Sequence, residues 1–573
     1  MIKNAVLYLA SIVLLFTIVH RTFISGWGPP IGDSALSLVA YGITYGSDDN
    51  LVYCSFAQQS MRVRGLWRFS NLYTTVEHDR LLFNSLFLLV GRLSSFFSVS
   101  PVRVLNVLAL LAIPLFMFCV ARMCHILGLS KISGFAVVCL ALGGGGISWI
   151  RLLIRLLIKK LGLEGVLVVG APAPDLFYFD LYPATAFFIY PYQAITVAIL
   201  SFLALTIVQY DDHNHRLSLG DACLIMGSAL ALASVRPYEL VMVLTAYGSL
   251  VAASYAFQLD ETVRRRRIVV LSCLLVGILP FLVYSFWFSQ QPVWSYVAKT
   301  GWTLQYGDWD VAFFLLWILA CVGIGTLGSR LFSSSFAFLA LWSLGCGILL
   351  IVLNSGATKL CGGCTIPLAV LGGLAVHKYE AQLRAKNLII PALSLLVFLS
   401  LASPALEFFK SIRPRDRVRL PSELFQAIES IRSDALAPLP IVLTDSETGK
   451  VLPGLGGFRV FCGHQGLTDH YVHKSRLLAR LGFGTEAEQR SDSGDSEILK
   501  SNAAKLLNQI KTGTFQYLLV RKDHQLYQYV APDHAGSTIH DGPNFLAVRM
   551  SPDVSTVIAE RLQTIASMRK GVQ

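Results

Sequence analysis

The chain has 573 residues, 54% of them hydrophobic and 14% charged, with a formal net charge of +12. Soluble domains carry about 25% charged residues, so a chain this apolar cannot hide its hydrophobic side chains in one globular core. An ordinary soluble protein is excluded, and basic residues dispersed along the chain without a face of interleaved aromatics argue against a nucleic-acid partner.

About 20 apolar residues cross a bilayer as a helix. By that measure about eleven spans fall near 4–24, 101–125, 132–150, 184–208, 219–235, 238–257, 268–288, 310–328, 335–353, 365–377 and 388–406. The first is read as an uncleaved span, because His20-Arg21-Thr22-Phe23 follows it where a small-residue cleavage site would stand. The apolar stretch 81–99 holds Asn84, Gly91, Arg92 and several serines. It reads as a helix at the interface or tucked against the bundle; a span there would reverse every later orientation.

Charge sets the expected orientation. With the N-terminus inside, the cytoplasmic loops hold Lys3, Arg122, Lys131, Arg216, the arginine run 264–267, Arg330, Lys378, Arg384 and Lys386. The opposing short loops hold little more than Arg236, Lys299 and Lys359. That asymmetry follows the positive-inside rule. The basic amphipathic segment 151–160 disagrees, and is read as resting flat on the outer leaflet.

After about residue 407 the pattern changes. Short apolar runs at 440–445, 459–463 and 516–521 end in turn residues, as buried strands do. Helical stretches are expected near 421–434, 473–482 and 497–511, and a final strand, 544–549, is expected at a sheet edge. The expected fold class is therefore mostly α. A polytopic helical membrane bundle covers 1–406, with a long outer loop over 25–100, and a soluble extracytoplasmic α/β domain covers 407–573.

The eleven cysteines assign no metal. Cys119, Cys124, Cys139, Cys223, Cys273, Cys321 and Cys346 lie in or beside apolar runs, where thiols behave as small hydrophobes. Cys361 and Cys364 form a CGGC with no second CxxC or Cys/His pair nearby.

The first outer loop is the richest in chemistry: Asp48 and Asp49, then Tyr53, Gln58, Gln59, Trp67 and the Glu77-His78-Asp79 triplet. Transfer of a sugar from a phosphate-linked donor needs a base for the acceptor hydroxyl and cationic groups for the leaving phosphate. A close carboxylate pair can supply the base, since one member often has a raised pKa. The alternative is that Asp48 and Asp49 are turn residues capping the next helix.

The order of these features resembles the GT-C glycosyltransferases, the superfamily of protein O-mannosyltransferases and lipid A aminoarabinose transferases. The shared features are a first span, an outer acidic motif followed by Tyr53, a Gly65-Leu66-Trp67 stretch, an interfacial helix and a second span. The likeness is closest to uncharacterised bacterial GT-C-like membrane proteins. It is carried by Gly143-Gly-Gly-Gly-Ile-Ser-Trp149, Asp175-Leu-Phe-Tyr-Phe-Asp180, Arg236-Pro-Tyr-Glu239, the Gly-Gly-x-x-Ile-Pro-Leu element at 362–368, and Pro453-Gly-Leu-Gly-Gly-Phe-Arg459. Two departures bear on phosphate binding. Arg236 stands where relatives are expected to carry histidine, and Cys361-Gly-Gly-Cys364 replaces an expected Arg-rich stretch.

The resemblance implies a membrane glycosyltransferase that moves a sugar from a polyprenyl-phosphate donor to a glycan, lipid or protein acceptor. The reaction would take place among membrane lipids on the outer face of a bacterial inner membrane. Asp49, with Asp48 as the alternative, matches the acidic motif that supplies the base. Arg236 either holds a lipid phosphate or pairs with Glu239, since charge at that depth usually has a partner. Lys359 either contacts phosphate or snorkels. Asp175 and Asp180 either line the acceptor cleft, bind a divalent cation or are solvated loop acids; no cofactor is otherwise expected. His464 and His470 are weaker candidates. A non-catalytic assembly or lipid-binding protein and a lipid or sugar transporter are the competing readings. The apolar centres of most spans, with acids gathered in outer loops, count against transport.

Overall fold

The structure is a computed structural model. It describes residues 47–63, 67–82, 84–144, 157–161, 191–211, 218–291, 314–352, 363–412, 422–464, 470–483, 496–530 and 537–550, with isolated positions between them. Among the described residues the helices before residue 413 are α1 (Ser47–Arg62), α2 (Ser85–Phe97), α3 (Pro101–Ile126), α4 (Lys131–Gly143), α5 (Pro191–Asp211), α6 (Leu219–Val235), α7 (Pro237–Ala256), α8 (Glu261–Ser289), α9 (Phe314–Leu327), α10 (Ala337–Val352), α11 (Thr365–Ala385) and α12 (Ile389–Ile412). The remaining elements are α13 (Ser422–Asp434), β1 (Ile441–Leu443), α14 (Ser446–Gly456), β2 (Arg459–Val460), α15 (Tyr471–Leu478), α16 (Ser496–Lys511), β3 (Tyr517–Arg521), α17 (Gln525–Val530), β4 (Thr538–Asp541) and β5 (Phe545–Arg549).

The chain divides into two compact units. One comprises Met1–Ile24, Leu105–Phe286 and Gly301–Arg417; the other comprises Ser25–Val104, Trp287–Thr300 and Val418–Gln573.

The first unit is a helical bundle. Among the described residues α3, α5, α7 and α8 are long and apolar enough to cross a bilayer, and α4, α6, α9, α10 and α12 contain shorter apolar helices. Phe118, Val276, Val283 and Phe286 are exposed on the outside of this unit. Water would penalise each such side chain by about 1.5–3 kcal/mol relative to burial, whereas lipid tails are as apolar as the side chains. The chain is an integral membrane protein. Caps fix the helix ends. Ser218 and Asp221 form a reciprocal capping box at the start of α6, and Pro237 occupies the first turn of α7. Close crossings depend on glycine: a Cβ at Gly143 would strike the Ser400 carbonyl of α12, and one at Gly323 would strike the Leu371 carbonyl of α11.

The expected first span lies almost wholly outside the described residues. The expected 132–150 span is described as helix only over α4, where Gly144 at φ 70° accepts the left-handed turn that ends it. The arginine run 264–267 is not a loop but part of α8.

The second unit holds a five-stranded sheet in the order β2-β1-β3-β5-β4. The first three strands are parallel, while β5 runs antiparallel to β3 and β4 antiparallel to β5. One expectation is corrected here. The final strand does not sit at an edge but between β3 and β4, because Phe545, Leu546, Ala547 and Val548 are all buried and need cover on both faces. The edge goes to β4, a more polar Thr-Ile-His-Asp strand that the apolar pattern missed. Leu443, Leu518, Val520, Leu546 and Val548 form the core with Leu477 of α15 and Leu506 and Ile510 of α16.

Helices α1 and α2 belong to this second unit. Asn84 caps α2 by accepting from the Leu86 amide, and Ser98 ends it in the left-handed region. At 13 residues α2 is shorter than the roughly 20 a span needs. A Cβ at Gly91 would strike the Ala57 carbonyl, so glycine is what lets α2 lie directly on α1.

Candidate functional site

Helix α1 carries the acidic motif. Asp48 and Asp49 fall at its second and third described positions, and their side chains lie outside the described residues. Asp49 and Tyr53 are four residues apart, which places them on one face of the helix. The rest of α1 is anchored firmly. Tyr53 stacks on Phe87 at 5.2 Å between ring centroids, and Phe56 packs on Phe87, Phe69 and Trp294. The Trp294 indole donates to the Asp79 carbonyl at 3.3 Å. Gln59 both donates to the Ser70 carbonyl and accepts from the Ser70 amide, each at 2.9 Å. These contacts fix α1 from Tyr53 onward.

Beside α1, the turn 71–78 is tied by a neutral imidazole. His78 Nε2 accepts from the Asn71 amide at 2.8 Å, and its Nδ1 lies 2.8 Å from the Val76 carbonyl, to which it donates in that tautomer. Burial lowers the His78 pKa, and the hydrogen bond to the Val76 carbonyl opposes the shift. His464, one of the weaker candidates, packs edge-on against Tyr73, and His470 stands exposed at φ 52° ahead of α15.

The Arg236 element lies in the first unit. Arg236 joins α6 to α7 with its Nε 3.1 Å from Glu239 Oε1, and the two side chains are 4% and 1% exposed. The Tyr192 hydroxyl donates to the neighbouring Val235 carbonyl at 2.6 Å. Of the two readings for Arg236, the ion pair with Glu239 is present. Lys359, Asp175 and Asp180 lie outside the described residues. The structure therefore brings Asp48, Asp49 and Tyr53 together on one helix of the second unit and pairs Arg236 with Glu239 in the first. Among the described residues, no three His, Cys, Asp or Glu side chains gather as a metal site would require.

A second buried pair escaped the sequence reading. Arg267 donates to both carboxylate oxygens of Asp211, at 2.9 and 3.2 Å, and also to Ser254 Oγ and the Phe332 carbonyl. Uniform arginines at 264–267 read as a solvated run, yet Arg265 and Arg267 differ completely: the first is 78% exposed and the second 1%. The available signal was Asp211, an acid directly ending an apolar run.

No protein-family model matches the chain, and no curated protein matches it. Solved structures do. The archaeal oligosaccharyltransferase AglB from Archaeoglobus fulgidus, in complex with an inhibitory peptide and a dolichol-phosphate, superposes with a TM-score of 0.52 at 11% identity. That match covers 92% of this chain and 71% of AglB. The mycobacterial arabinofuranosyltransferase AftD, as its R1389S mutant, gives a TM-score of 0.52 at 13% identity, over 96% of this chain and 42% of AftD. ArnT from Cupriavidus metallidurans matches at a TM-score of 0.48 and 11% identity, over 96% of this chain and 99% of ArnT. At such identities the likeness establishes the fold alone, one that this chain shares with AglB and AftD.

Proposed function

We propose that the protein is a membrane glycosyltransferase that moves a sugar from a polyprenyl-phosphate donor to an acceptor on the outer face of the membrane. The observation that carries this reading is the match over 92% of the chain to AglB, solved with a dolichol-phosphate. The acidic motif on an anchored helix supports it. Asp49, with Asp48 as the alternative, acts as general base, and Tyr53, one turn on, lines the same face. Arg236 and Lys359 are the proposed contacts to donor phosphate. For Arg236 that role requires the guanidinium to serve Glu239 and phosphate together, and the buried pair equally suits a purely structural residue. Asp175 and Asp180 are the proposed contacts to the acceptor or to a divalent cation. About eleven spans over 1–406 place the N-terminus in the cytoplasm and the domain 407–573 outside a bacterial inner membrane.

The test is glycan or glycolipid output from a deletion strain complemented with Asp49→Asn, Asp48→Asn or both, at matched protein levels. A positioned base contributes about 10²–10⁴-fold, so output should fall by that order while polyprenyl-phosphate binding persists. Full output from the double variant would leave the non-catalytic reading in front. For orientation, a phosphatase fused at Gln573 should be active and a fluorescent protein there dark; the reverse would move the acidic motif to the wrong face.

A further inference from the structure

Within the second unit, the last turns of α1, the turn from α2 into α3, and the helices α13 and α14 enclose a cavity of about 350 Å³. Ligand pockets run from about 300 to 1,000 Å³, so this one has room for a sugar ring but not for a folded peptide. Its walls differ in character. Phe425, Ile428 and Leu455 are apolar lining residues, while Ser94, Ser95, Ser98 and Ser100 put four serines from seven consecutive residues in the lining, the Ser94 hydroxyl donating to the Val90 carbonyl at 2.7 Å. A pyranose ring has that same division, with C–H groups on its faces and hydroxyls around its rim.

The charges along the cavity are unequal. Arg432 and Glu429 both line it and form an ion pair. Arg432 also donates to the Leu455 carbonyl at 2.9 Å, shared with Gln58 Nε2 at 3.2 Å. Its Nε is buried with no hydrogen-bond partner among the described residues. Behind Gln58 stands Arg62, whose Nε lies 3.4 Å from Gln58 Oε1. Burial first, and then the nearby positive charge of Arg432, lowers the Arg62 pKa to about 10. Two guanidinium groups against one carboxylate leave a positive excess at a partly desolvated site, and a buried donor without a partner leaves hydrogen-bonding capacity unspent.

We propose that this cavity is a binding subsite for a sugar ring bearing a carboxylate. The ring's apolar face lies on Phe425 and Leu455, its hydroxyls meet the 94–100 serines, and its carboxylate meets Arg432 in place of, or beside, Glu429. In the transferase reading, on which this role rests, the subsite holds a unit of an acidic acceptor glycan. Gln58 lies nine residues beyond Asp49 on α1, about 13 Å along the helix axis, so the bound unit would be remote from the reacting hydroxyl.

The experiment is saturation-transfer NMR and titration on the full-length protein in detergent, with methyl glucuronide, methyl glucoside and inorganic phosphate as probes. Methyl glucuronide should bind saturably and at least about tenfold more tightly than methyl glucoside, as loss of one charge-assisted hydrogen bond predicts. Ser95→Trp, which fills the exposed rim without touching the interior, should abolish binding at unchanged thermal unfolding, and Arg432→Gln should erase the preference for the acid. Absence of saturable glucuronide binding, equal affinity for the glucoside, or binding unchanged by Ser95→Trp overturns the proposal. Phosphate binding as tight as the glucuronide would reduce the site to an anion pocket and overturn it as well. The assay involves no turnover. Full transfer by the Asp48→Asn, Asp49→Asn double variant with glucuronide binding intact would sink the catalytic reading alone, whereas loss of transfer in that variant without saturable glucuronide binding to the native protein would sink the subsite alone.

Discussion

The bundle and the sheet unit spend charge in opposite ways. In the bundle, Arg267 and Asp211 are buried to 1–2% exposure and satisfy each other completely, with Ser254 and the Phe332 carbonyl taking the remaining donor. In the sheet unit, Arg549 is 61% exposed against Asp434 at 17%, with Tyr517 donating to the same carboxylate at 2.9 Å. The first pair is shut off from water, so each charge is answered by its partner and, for Arg267, by Ser254 and the Phe332 carbonyl. The second competes with water at every step. The difference shows that an ion pair's geometry says little about its worth until its surroundings are known.

The largest expected effect follows from breaking the buried pair on one side. Arg267→Met should destabilise the bundle by about 3–5 kcal/mol, whereas Arg267→Met with Asp211→Leu should recover much of that loss. Detergent-solubilised thermal unfolding measures both. A single variant no worse than the double would show that the pair is not desolvated and would erase the contrast.

A smaller effect concerns pH in the sheet unit. Burial, and then the hydrogen bond to Asp434, raises the Tyr517 pKa from 10.0 to about 12. The folded state therefore keeps a proton that the unfolded chain releases. Stability from this group is fully present below pH 10 and is lost as pH rises from 10 to about 12. Asp434 works from the other end: the hydrogen bond from Arg549 lowers its pKa, so its contribution is present above the ordinary carboxylate value and fades as pH falls through the lowered one. Tyr517→Phe should flatten the alkaline limb of the unfolding midpoint against pH. An unchanged limb would show that the phenol is not held by Asp434.

Smallest is Arg549→Ala, expected to leave the unfolding midpoint nearly unchanged, because water competes for this exposed guanidinium. A cost near that of Arg267→Met would show that exposure fails to separate the two pairs.

Much of this architecture was legible in the chain, and the reasons differ by element. The strands at 441, 459, 517 and 545 were readable because short apolar runs between turn residues have few other fates. β4 was not, since Thr-Ile-His-Asp has no apolar period. α14 was hidden by its own composition, with three glycines and an internal proline in eleven residues. It forms because Asp445 caps it, accepting from the Thr448 amide at 2.8 Å, and Gly457 at φ 67° ends it. The acidic motif and Tyr53 were legible as a candidate site because they share a helical spacing. The serine-lined cavity was not, because its walls come from residues more than 300 positions apart. Arg267 was missed because periodicity cannot distinguish one arginine in a run of four.

The edge of the sheet beyond β2 has a consequence for biogenesis. Val460 donates to the Leu72 carbonyl at 2.8 Å, Asn71 Nδ2 donates to the Leu467 carbonyl at 2.7 Å, and Thr468 Oγ1 donates to the Tyr73 carbonyl at 3.1 Å. These partners are separated by 388 to 396 residues. A ribosome adding about 5–20 residues per second makes the segment around Leu72 roughly 20–80 s before anything exists to complete it. Throughout that interval the early segment must be kept from aggregating while these groups lack their partners. The second unit is therefore completed only once residues 460–468 have been made, and a nascent chain stalled before residue 440 would present an incomplete fold to whatever chaperones it meets.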